Sequence, residues 1–165
     1  MTLSNIQKSV YLTILNATMV LRSIGKTLHS SVKLRKFKRR LFNKLDKLAG
    51  LLNTNKLTDS IILKSIETIA NEFKISYGQS QKAINVILKY HFYLTNNASL
   101  KMKKVLHCPI DSLILHKELD IYGLSLTKID KDKYIKIQKE IESKYKTKIE
   151  CDAAWDEEKL KQWGL

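Results

Sequence analysis

Two short stretches hold the residues whose types could do chemistry together: Gly78-Gln79-Ser80-Gln81-Lys82 and, further along, Cys108-Pro109-Ile110-Asp111. A neutral lysine amine is a nucleophile, and a carboxylate can activate it or stabilise positive charge developing on a substrate. A glycine turn at the mouth of a helix adds outward N–H groups and the positive end of a helix dipole, which suit a phosphate. Brought into one groove, these parts are suited to work on a nucleic acid. Each also has an ordinary role. Lys82 is one of 30 basic residues and can simply be solvated, and Asp111 near the start of a helix complements its dipole.

The elements that must position these groups read as helices. Proline occurs once and glycine five times in 165 residues, with abundant Leu, Ile and Lys, which implies an all-α fold. The length suits a single compact domain, 1–165, with no repeat and no clear linker. Ser4 can cap a first helix to about Ser23, with Gly25 as a break, and a second helix runs from Ser30 or Ser31 to about Leu52. A third covers 59–73, opened by Thr58, and a long one follows from about Ser80 to Leu94. Pro109 suits the first turn of a further helix to Leu119. A basic helix spans about 130–146, and a short acidic one with Trp155 and Trp163 spans 152–165.

Charge narrows the partner. The net charge is +14, and it is lopsided: residues 1–82 carry 15 basic and 4 acidic side chains, residues 83–165 carry 15 and 12. Such a field attracts nucleic acid, an anionic membrane surface or an acidic protein. Between 33 and 47 stand Lys33, Arg35, Lys36, Lys38, Arg39, Arg40, Lys44 and Lys47 against the single acid Asp46. These cations repel one another, and a phosphate backbone relieves that repulsion while releasing counterions. For a membrane surface the stretch offers only Phe37 and Phe42 as bulky apolar anchors. No apolar run reaches the ~20 residues of a membrane span. The apolar stretch Val10–Leu21 reads as a core helix rather than a leader, because it holds Thr13, Asn16 and Thr18 and lacks a small-residue cleavage site. Two cysteines, Cys108 and Cys151, make neither a disulfide framework nor a zinc quartet. No metal or other cofactor is expected, and an intracellular reducing setting, cytoplasmic or nucleoid-associated, is the simplest fit.

Residues 59–94 can form a helix-hairpin-helix, with Gly78 in its turn. The chain here resembles the helix-hairpin-helix DNA glycosylases, in particular the 8-oxoguanine glycosylase/lyase branch and its archaeal relatives. Those show a Gly-x-Gly-x-Lys hairpin, an apolar helix, and a Pro-Val-Asp or Pro-Ile-Asp turn. Here the corresponding residues are Gly78 to Lys82, the apolar run from Ala83 to Leu88, and Pro109-Ile110-Asp111, so the resemblance covers about 60–120. Ser80 stands where the second hairpin glycine usually sits and Tyr77 where proline is common. The resemblance implies base excision with AP-lyase activity. Lys82 would attack the sugar C1′ and form a Schiff base, and Asp111 would activate it. Gly78, Gln79, Ser80 and Gln81 would hold a phosphate, and the target base would turn out of the duplex.

The rival is a non-enzymatic basic helical module for nucleic acid, DNA more than RNA, or for an acidic partner, with Lys82 and Asp111 structural. Oligomeric state is not legible. His107 and His116 flank the aspartate and can contact phosphate or base, or simply pack. His91 beside Tyr90, Phe92 and Tyr93 reads as core, Cys108 as a small buried residue, and the two tryptophans as anchors for the last helix.

Overall fold

A computed structural model describes residues 3–164, apart from the side chain of Lys159; the last residue of the expected tail helix, Leu165, lies outside that range. The described residues form helices and no strands, in the order α1 (Asn5–Ala17), α2 (Val20–Leu28), α3 (Ser31–Asn53), α4 (Asp59–Phe73), α5 (Tyr77–Thr95), α6 (Leu100–Lys103), α7 (Ser112–Leu119), a 3₁₀ turn (Leu126–Lys128), α8 (Lys131–Lys144) and α9 (Lys148–Gln162). None is long and apolar enough to cross a membrane.

The amphipathic helices form where their stripes put them. In α3, Phe37, Leu41, Leu45, Leu48 and Leu52 recur at steps of three and four, and all are essentially inaccessible. Ser30 and Thr58 cap α3 and α4 by accepting from Lys33 and Ile61 N–H. The expected single helix from Ser4 to Ser23 is two. The chain breaks at Met19, which adopts φ 60° without a glycine, and α2 runs straight through Gly25, the expected break.

Around α5 the other helices assemble. Fifteen of its 19 residues are buried, and it packs on α1, α2, α3, α4, α8 and the 3₁₀ turn. Its start corrects the hairpin expectation. The connection from α4 is Lys74-Ile75-Ser76, with Lys74 in the left-handed region at φ 52°. Ser76 and Gln79 form a reciprocal capping box, so Gly78 lies inside the first turn of the helix rather than in a turn before it.

Glycine is needed there for closeness, not for φ. Gly78 N–H donates to Ile129 O at 3.0 Å. A Cβ at this position would sit 2.2 Å from Leu126 O and 2.9 Å from Ile129 Cβ. Helix propensity alone makes Gly→Ala favourable by about 1 kcal/mol. Here the neighbour is backbone and cannot swing away, so overpacking prevails. Gly78→Ala is expected to lose about 1–3 kcal/mol in urea unfolding; a gain in stability would show that the 3₁₀ turn does not seat on α5.

Candidate functional site

The two motifs do meet. Lys82 Nζ lies 3.2 Å from Asp111 Oδ2, and their side chains are 11 % and 29 % exposed. The pair comes with a set of fixed structural bonds. Asp111 is the N-cap of α7: its Oδ1 accepts from Ile114 N–H at 3.1 Å. The helix expected to open at Pro109 thus starts at Ser112, with the aspartate just outside it. One residue earlier, Gln81 grips the backbone of Ile110 at both ends. Its Nε2 donates to Ile110 O at 2.8 Å and its Oε1 accepts from Ile110 N–H at 3.2 Å. From the opposite side Gln138 of α8 holds Cys108 in the same way, at 2.7 and 3.1 Å. The non-helical segment 108–110 of the second motif is therefore clamped by two buried amides, which supply the backbone bonds that a sheet would otherwise provide.

The expected phosphate loop is spent on the same task. Gln79 Nε2 donates to Ser23 O, Ser23 Oγ and Thr27 Oγ1 of α2, and Ser80 Oγ donates to Ile66 O of α4 at 2.7 Å. Gly78 to Gln81 are all buried, and the N–H groups of Gly78, Gln79 and Ser80 already have acceptors in Ile129 O, Ser76 Oγ and Ser76 O. This corrects the assignment of Gly78, Gln79, Ser80 and Gln81 as a phosphate cradle: no donor there faces solvent.

His107 is corrected likewise. It is 3 % exposed and lies between Tyr134 Oη (2.7 Å from Nδ1) and Asp59 Oδ1 (2.5 Å from Nε2). An ionised carboxylate only accepts, so Nε2 carries the proton and Nδ1 accepts from the tyrosine. Tyr134 in turn accepts from Asn85 Nδ2 at 2.8 Å, and Lys148 Nζ completes the chain on Asp59 at 3.3 Å. A pocket of about 140 Å³ opens over this row. Both imidazole nitrogens are engaged, and the tyrosine hydroxyl is fully buried. His91 repeats the pattern between Tyr11 Oη (2.6 Å) and Asn53 Oδ1 (2.9 Å), as expected for a core histidine. Cys108 and Cys151 are free and buried. Trp155 packs partly against the core, whereas Trp163, expected as an anchor, is 82 % exposed.

These buried rings set a pH dependence. Burial lowers the pKa of His91 and of His107. Asp59 is held at about 2, first by the His107 hydrogen bond and then by nearby positive charge, against desolvation. In all three the folded pKa lies below the unfolded one, so the unfolded chain binds more protons and acid destabilises the fold. The loss starts below the ordinary histidine value of 6.5 and continues below 3.8 as Asp59 titrates. Each histidine contributes up to about 1.4 kcal/mol per pH unit, and half-exposed Asp59 only about 1 kcal/mol in all. The unfolding temperature should therefore drop by several degrees between about pH 7.5 and 5.5; an unchanged midpoint would mean that the folded chain takes up these protons freely.

The outer face of α3 presents the reverse of this saturated interior. Lys33, Arg35, Lys36, Arg39, Arg40 and Lys47 are exposed and Lys38 and Lys44 half-buried. Of the eight, only Arg40 has a carboxylate within ion-pair distance among the described residues, Glu72 at 2.8 Å. Lys44 has its pKa lowered by burial and then by Arg40 and Lys47, with Lys64 adding to the effect and Glu72 opposing it. Phe37 is fully buried and Phe42 half-buried, so the face carries charge without aromatic anchors. Among the described residues no group of three His, Cys, Asp or Glu side chains could hold a metal ion. No protein-family model, curated protein or solved structure matches this chain. The glycosylase resemblance accordingly stands on residues 78–82 and 109–114 alone.

The sequence reasoning missed Asn85, Tyr134 and Gln138, and it gave Gln81 a phosphate where the structure gives it the backbone of Ile110. A signal existed: each falls on an apolar stripe, Gln81 and Asn85 beside Ile84 and Leu88, Tyr134 and Gln138 beside Ile137 and Ile141. An amide at a core position has to find partners, and an extended segment is a ready source of them.

Proposed function

We propose that the chain is a basic helical module that binds the phosphate backbone of nucleic acid through the outer face of α3. The observation that carries this reading is the row of cations from Lys33 to Lys47, all but Arg40 without an ion-pair partner among the described residues, set on a 23-residue helix whose other face is fixed in the core. The row is about 21 Å long, enough to span several phosphates. Its mutual repulsion is the unfavourable feature that a polyanion removes. An anionic membrane is the weaker fit because the exposed stripe lacks aromatic and long apolar side chains, Val32 apart.

The test is a binding titration across salt. If about six phosphates are engaged on a duplex, log K should fall against log salt with a slope near about −5. Binding to phosphatidylserine vesicles without salt-sensitive nucleic-acid binding would overturn the reading in favour of a membrane.

Base excision is a second reading, favoured by the 3.2 Å approach of Lys82 and Asp111. It requires Lys82 to leave the carboxylate and meet a sugar. Borohydride reduction in the presence of lesion-bearing and abasic duplexes decides it. A covalent adduct lost in Lys82→Gln supports excision, and binding without adduct leaves the pair as a tie between α5 and α7.

A further inference from the structure

At the amino-terminal end of the α3 face the molecule has a cleft of about 370 Å³, lined by Thr27 and Leu28 of α2, Lys33 and Lys36 of α3, and Glu72, Phe73 and Lys74 at the end of α4. Three cations stand at it against one carboxylate, and that carboxylate is committed to Arg40 at 2.8 Å. Thr27 Oγ1 is occupied as an acceptor for Gln79. The remaining lining is apolar: Leu28 and the ring of Phe73, which is half-buried and held edge-to-face by Phe37 with centroids 5.2 Å apart. A rigid aromatic ring bordered by lysines is a surface for a flat, uncharged ring attached to an anion.

We infer that this cleft takes one unpaired nucleotide, its base against Phe73 and its phosphate on Lys33, Lys36 and Lys74, so that the protein prefers single strands to duplexes. The inference rests on the backbone-binding reading above and adds the substrate class. Size supports it. At about 370 Å³ the cleft lies at the small end of pockets for small molecules, which admits a single nucleotide and excludes a base-paired stack. Every base has a face to stack, so sequence preference should be weak, whereas strandedness should matter, since paired bases are already stacked and enclosed. Lys33 and Lys36 also begin the α3 row, so a strand whose base enters the cleft continues along the helix without a break in charge.

The experiment measures anisotropy with a labelled oligothymidylate, its RNA counterpart and a mixed-sequence duplex of equal length, at one salt concentration. The native protein should bind both single strands about tenfold more tightly than the duplex. Phe73→Leu keeps the apolar volume and removes the ring face. It should lose about tenfold on single strands and nothing on the duplex. Lys74→Asn is a surface change at a left-handed position that asparagine tolerates, so it cannot act by unfolding the chain, and it should weaken single strands selectively. Arg39→Gln with Lys47→Gln, away from the cleft, should weaken all three ligands alike. Equal native affinity for strand and duplex, or a Lys74→Asn effect equal on both, overturns the cleft while leaving the backbone reading intact. No salt-sensitive binding to any of the three overturns both.

Discussion

Replacing Lys33, Arg35, Lys36 and Arg39 together by glutamine should weaken duplex binding by on the order of a hundred- to a thousandfold at moderate salt, and flatten the salt dependence by about four units of slope. Counterion release sets this size: each lost phosphate contact removes about 0.9 from the slope, whatever the base sequence. Stability should not suffer. All four side chains are exposed and have no acidic partner among the described residues, so their removal relieves repulsion and breaks no bond. An unfolding midpoint equal to or above the native one is expected. The decisive control changes net charge by the same amount elsewhere. Lys101, Lys104, Lys117 and Lys136 are also exposed and have no ion-pair partner among the described residues. Their replacement by glutamine should cost far less. Equal losses in the two quartets would mean that affinity follows overall charge and that α3 has no particular role.

That a helical fold with one basic face was legible, while the use of its central motifs was not, has a physical reason. Periodicity reports which side of a helix is buried, and α3 and α4 bury what their stripes indicate, Phe37 to Leu52 and Ile62 to Ile69. The charges of α3 could be placed by subtraction, since what is not inward faces out. The break at Met19 carries no glycine or proline signal, because a non-glycine residue takes the left-handed conformation there. At Gly78 the signal misled. A glycine before a helix suggests a turn, but the Ser76-to-Gln79 spacing of a capping box was present too, and it places the helix start at Tyr77. The meeting of Lys82 and Asp111 was foreseeable from motif order, whereas its partners were not. Whether a carboxylate is free to act or is occupied as a cap depends on Ile114 N–H, a contact that only the folded chain defines. His107 shows the same limit: its neighbours Asp59 and Tyr134 lie 48 and 27 residues away in sequence.

Lys89→Met should be the most destabilising single substitution considered, by about 3–5 kcal/mol, with its effect confined to folding. Lys89 is 3 % exposed on α5, and its ammonium is shared by Asp152 and Asp156 of α9, the second at 2.8 Å. The two carboxylates hold its pKa above the usual lysine value despite the burial that opposes them. Asp152, by contrast, has its pKa raised, because burial outweighs the attraction of the lysine and Asp156 and Asp111 add negative charge. The lysine is thus what makes an ionised Asp152 tolerable in this place. Methionine fills the same volume but leaves the carboxylate desolvated and unpaired, with Asp156 beside it. The partial exposure of Asp156, 42 %, and the option for Asp152 to take up a proton put the expected loss toward the lower end of that range. Adding Asp152→Leu to Lys89→Met should recover most of the loss, since an apolar pair of similar volume has no charge to desolvate. Urea unfolding of the two single variants and the double variant gives the coupling directly. A double variant no more stable than Lys89→Met would show that α9 is held by its apolar contacts, Trp155 among them, and not by the shared ammonium.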